Sequence, residues 1–77
     1  MDLRFIGKDP KSGDHGSPAV WVDGENRDLV IQGWTADGRT LEESAKDVRL
    51  PGHESVIRVP RRLIPQLREA IRVAESD

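Results

Sequence analysis

Between Leu63 and Ala74 the residues Leu63, Ile64, Leu67, Ala70, Ile71 and Ala74 recur at helical spacing. They fill an arc of about 120°, the signature of a helix lying on a core with one face only. Such a helix needs a surface to lie on, and this requirement constrains the chain more than any other feature. Pro60 and Pro65 flank its start. Proline is tolerated only in the first turn, so a turn is expected over 60–63 and the regular helix from about Ile64.

The partner surface is expected to be a sheet. Leu3–Ile6, Ala19–Val22 and Leu29–Trp34 are short runs rich in branched and aromatic residues, as is Ser55–Val59. Asp23, Gly24 and Asn26 supply turn chemistry between the second and third runs, which predicts an antiparallel hairpin. Gly33, inside the third run, marks a bulge or a close backbone approach. Thr40 followed by Glu43 matches a capping box, and Leu41, Ala45 and Val48 continue it as a short amphipathic helix. The expected order is β-β-β-α-β-α: an α+β fold with an antiparallel sheet of about four strands and the C-terminal helix across one face. Residues 1–77 are read as one domain.

Apolar residues make up 35% of the 77 and there is no cysteine. A chain of this size buries only about 60% of its unfolded surface. Without disulfides or thiolate metal sites, it is expected to gain stability from a protein partner or as a homo-oligomer. The segment Met1–Phe5 has no apolar h-region and no run approaches a membrane span, so a cytoplasmic location without membrane contact is expected.

The net charge is −2, which excludes a global basic footprint for nucleic acid. The charge is uneven, however: residues 1–56 carry −4 and residues 57–77 carry +2. Arg58, Arg61, Arg68 and Arg72 could form a basic face that contacts phosphates. Glu69 and Glu75 interleave with them, and no aromatic residue stands among them to stack on bases. Direct nucleic-acid binding is therefore the alternative reading rather than the leading one.

Chemistry of other kinds is poorly supported. His15 beside Asp14 and His53 beside Glu54 lie in loops and lack the spacing of a metal motif. Lys8, Lys11 and Ser12 sit among glycines, but Lys11-Ser12-Gly13 runs in the wrong order for a phosphate loop and precedes a strand. No serine occupies a nucleophile motif. No catalytic, metal or cofactor residues are expected, and no enzymatic activity.

The loop over 7–18 is long for a compact domain, and loops of that length are usually functional. Asp9, Lys11, Asp14 and His15 have no apolar role there and are candidate protein-interface residues. Trp21 and Trp34 are either core residues, the usual fate of tryptophan in a small domain, or interface anchors: both stand opposite some of the core residues, and tryptophan is enriched at interfaces.

From Leu3 to Ala74 the chain resembles a group of small actinobacterial proteins of unassigned function. The likeness is carried by Leu3-Arg4-Phe5-Ile6-Gly7, Asp9-Pro10, Ser12-Gly13 and Gly16-Ser17-Pro18. It continues through Val20-Trp21-Val22, Leu29 to Trp34, Pro51-Gly52-His53-Glu54 and Val59-Pro60. The organisation is also similar to a short domain encoded beside Xre-type helix-turn-helix regulators. These resemblances imply a small regulatory or toxin–antitoxin-like protein whose partner is a DNA-binding regulator.

Overall fold

In the computed structural model, which describes residues 1–13 and 16–76, strand β2 (Ala19–Asp23) lies between β1 (Leu3–Lys8) and β3 (Leu29–Gln32), antiparallel to both. The central position follows from composition. Val20 and Val22 are 0% and 2% exposed and form the core with Ala70 of helix α2 (Ile64–Glu75). Ile6, Leu29, Leu67, Val73 and Ala74 pack around them. Full burial of a valine or leucine side chain contributes about 1.5–3 kcal/mol.

The first strand carries one residue more than its neighbour. Leu3 pairs with Asp23 and Phe5 with Trp21, whereas Gly7 pairs with Val20 and Lys8 with Ala19, so the register shifts between Phe5 and Gly7. The bulge turns Gly7 toward α2, where an added Cβ would lie 2.6 Å from Gln66 Cγ. It also puts Lys8 on the opposite face.

The β2–β3 turn is held by its own side chains. Asp23 Oδ1 accepts from the Glu25 amide and Asn26 Oδ1 from the Asp28 amide, each at 2.9 Å. Arg27 occupies the left-handed region at φ 70°. Its guanidinium donates to the carbonyls of Ala74 and Ser76, satisfying orphan acceptors at the end of α2.

Beyond Gly33 the chain continues as β4 (Trp34–Thr35), which pairs with β5 (Ile57–Arg58) in a separate two-stranded ladder. The fourth run thus joins the continuation of the third rather than the main sheet. Gly33 allows the approach, since a Cβ there would sit 2.6 Å from the Arg58 carbonyl oxygen. Helix α1 (Gly38–Ala45) fills the excursion between β4 and β5 and buries none of its residues.

The cap of α1 differs from the capping-box expectation. Asp37 is the N-cap, accepting from the Thr40 amide at 2.8 Å. Aspartate is among the best N-caps, and here it starts the helix ahead of Thr40. The Thr40 hydroxyl accepts from Arg58 Nη1 instead, at 3.1 Å.

The start of α2 follows the prolines: a 3-10 turn spans Arg61–Leu63 and the helix begins at Ile64. Leu63 is wholly buried. Ile71, expected on the buried arc, is 47% exposed, and Ile64 is 43% exposed. A three-stranded sheet covers only the stripe through Leu67, Ala70, Val73 and Ala74, with Ala70 fully buried against Val20 and Val22. Among the described residues no helix is long and apolar enough to cross a membrane.

Candidate protein-binding surface

Asp9 is 0% exposed, the one fully buried charged residue among those described. Arg62 donates to it twice, Nε to Oδ1 at 2.5 Å and Nη2 to Oδ2 at 2.6 Å. The Ser12 hydroxyl donates to Oδ2 at 2.7 Å and the Lys11 amide to Oδ1 at 2.9 Å. The Asp9 amide in turn donates to the Pro18 carbonyl at 2.8 Å. These bonds close the loop on itself and fasten it to the 3-10 turn. Arg62, the Ser12 hydroxyl and the Lys11 amide hold the Asp9 carboxyl well below the usual carboxylate range, Arg62 most strongly, against the opposing effect of burial. Arg62 is correspondingly harder to deprotonate than a free arginine.

Asp9 therefore does not stand on an outer contact surface: it organises the loop from within. Lys11 is exposed, and only its backbone amide serves the clamp. Asp14 and His15 lie outside the described residues. Trp34 is 47% exposed, with the Arg62 guanidinium carbon 5.8 Å from its ring centroid, a cation–π contact. Arg62 thus sits between a buried carboxylate and an exposed indole.

Trp21 alternates with Val20 and Val22 and points away from α2. Its ring lies 5.9 Å from that of Phe5, tilted by 57°. Val30 is its partner on β3. Phe5 is 59% exposed, Leu3 41% and Val30 37%, so the outer face of the sheet is apolar and open around these residues, while at its far end Ala19 is buried and the Gln32 side chain is tied to the Ser17 carbonyl. An open groove of about 450 Å³ runs over Leu3, Trp21 and Val30 toward Ile31 and Ile57. Sequence reasoning found Trp21 but missed Phe5, Leu3 and Val30. The available signal was the pairing of three short apolar runs with a single amphipathic helix, which can cover only one face.

No family model matches the chain, and neither curated proteins nor solved structures yield a match. The surface must be read from its own chemistry.

The excursion from β4 to β5 is a second uncovered region. Val48 is 73% exposed and Leu50 39%, and both line a shallow depression with Ser44 and Val56. His53 lies on this excursion, exposed, 3.8 Å from Glu54.

The arginines of the C-terminal segment differ in their partners. Arg58 donates to Thr40, and Arg72 is paired with Glu69, which raises its pKa. Arg61 and Arg68 are exposed and make no ion pair among the described residues. A hydrogen bond to a neutral hydroxyl leaves Arg58 charged, so Arg58, Arg61 and Arg68 carry no ion pair among the described residues, and of the four candidates Arg72 alone is matched by a carboxylate.

Proposed function

We propose that this chain is a non-enzymatic accessory protein that acts by binding another protein, and that its partner is a DNA-binding regulator of the helix-turn-helix class. The observation that carries the binding reading is the exposed apolar surface. Val48 and Leu50 stand open over a shallow depression on the β4–β5 excursion, and Trp34 is exposed on β4. Exposed apolar patches of this kind mark interaction sites. The partner class rests on the likeness in organisation to a short domain encoded beside such regulators. Direct nucleic-acid binding through Arg58, Arg61, Arg68 and Arg72 is the alternative, and it is disfavoured by the pairing of Arg72 with Glu69 and by the net charge of −2.

Affinity capture from an actinobacterial lysate, followed by identification of the retained proteins, tests this reading. A helix-turn-helix regulator should be enriched by the parent chain and by Arg61→Ala/Arg68→Ala/Arg72→Ala alike. It should be lost with Val48→Glu/Leu50→Glu. Salt-sensitive nucleic-acid binding by the parent, abolished in the triple arginine variant, would instead establish the alternative.

A further inference from the structure

We propose that the outer face of the three-stranded sheet is a self-association surface on which a second copy of this chain packs face to face, with its strands reversed. The inference goes beyond the accessory-protein reading and stands or falls on the purified chain alone.

The surface area asks for a cover. The chain exposes 5962 Å². A compact monomer of 8.6 kDa exposes about 4,700 Å². The surplus of about 1,300 Å² exceeds the roughly 800 Å² that each partner contributes to a stable complex. Part of the exposed apolar surface lies where an isolated sheet would be least stable: Leu3, Phe5 and Val30 on one side of β1–β3, with Trp21 half-buried between them. Uncovered sheets of this kind stack about 10 Å apart with side chains interdigitating.

The charge pattern selects a second copy and its orientation. Strand register arranges the outer face in three rows. Leu3 and Asp23 form the first, Phe5, Trp21 and Val30 the second, and Lys8, Ala19 and Gln32 the third. An acid therefore stands at one end and a base at the other, with an apolar row between. Neither Lys8 nor Asp23 has an ion-pair partner among the described residues. A two-fold axis in the interface plane, perpendicular to the strands, superposes the two aromatic rows. It also sets Lys8 of each copy over the Asp23 end of the other. The alternative axis, along β2, would stack Asp23 on Asp23 and set Lys8 over Gln32 of the other copy, pairing neither charge. The face is thus complementary to itself in one orientation only, as an isologous interface requires. Lys8 reaches this face because of the bulge at Gly7. Without that extra residue it would point toward α2.

Sedimentation or light scattering of the full chain should report twice the 8.6 kDa chain mass. Phe5→Glu should convert it to a monomer with an unchanged circular dichroism spectrum, since Phe5 is exposed in the single chain. Lys8→Glu and Asp23→Lys should each weaken self-association by about tenfold or more, and an equimolar mixture of the two should recover it as a mixed pair. A parent that stays at 8.6 kDa at every concentration, or a dimer indifferent to Phe5→Glu, would overturn the proposal. So would variants that weaken the dimer without recovery on mixing, because the lysine–aspartate alignment would then be wrong. Capture of a regulator lost with Val48→Glu/Leu50→Glu bears on the binding reading alone, so the two can fail separately.

Discussion

Arg62 grips Asp9 through two parallel hydrogen bonds, although 53 residues of chain separate them. The bidentate geometry matches the planar fork of the guanidinium to a carboxylate. Asp9 has no exposed surface, so loss of Arg62 would strand a buried charge, while loss of Asp9 would leave Arg62 with Trp34 and solvent. The pair joins three parts of the fold: the first loop, the turn before α2, and β4.

The clamp predicts an acid-sensitive stability. The folded Asp9 carboxyl titrates well below its unfolded value of about 3.9. Its contribution is fully present above that value and is lost as pH falls below it toward the folded pKa. Thermal melts between pH 7 and pH 2 should show the parent losing stability steeply below about pH 4. Asp9→Asn should melt lower than the parent at pH 7 and show a shallower decline over the acid range. An identical acid profile in both would mean that Asp9 is not the group responsible.

Leu63 and Ile71 separate the buried stripe of α2 from its exposed flank. Leu63→Ala should cost about 2–5 kcal/mol in urea unfolding, most of the stability of a small domain. Ile71→Ala, at 47% exposure, should cost under about 1 kcal/mol in the single chain. Equal losses would show that the helix is rotated from the position described.

Gly33→Ala directs a methyl group at the Arg58 carbonyl, a backbone atom that cannot move aside without opening the β4–β5 ladder. The expected cost is about 1–3 kcal/mol, with a change in Trp34 fluorescence as its strand shifts. Gly7→Ala meets only the flexible Gln66 side chain and should be milder. Comparing the two melting temperatures checks the order.

Arg27 carries two opposed effects, a left-handed backbone and a cap on α2. Arg27→Gly removes the cap and relieves the backbone, whereas Arg27→Ala removes the cap and keeps the strain. Alanine should therefore be less stable than glycine here by about 1 kcal/mol. Equal stability would show that the turn relaxes once the arginine is gone.

Much of the fold was legible in the sequence because the signals were local. The prolines set the turn and the helix start at Ile64, and Asp23, Gly24 and Asn26 announced the hairpin. What was missed depended on distant or competing partners. Thr40 and Glu43 fit a capping box, yet it is the carboxylate of Asp37, three residues earlier, that caps the helix. Ile71 fits a helical apolar arc, but the width of that arc exceeds what three strands can cover. Asp9 looks like a solvated loop residue until Arg62 is brought to it by the fold. The outer sheet face was half visible: Trp21 was singled out, but its row-mates Phe5 and Val30 emerge only from register.

Thr35 and Ile57 are direct cross-strand partners, so the segment between them leaves and re-enters the molecule at almost the same point. Few connections tie that segment to the remainder. No residue of helix α1 is fully buried, and Arg58 to Thr40 is its side-chain link to β5. An insertion anchored this way behaves as a replaceable cassette. Its length and sequence can drift, or be exchanged for a short Asn-Gly turn, while the core packing of Val20, Val22 and Ala70 is left intact. Recognition could then diversify by swapping one hairpin-rooted segment on a constant body, much as loops vary on a rigid scaffold.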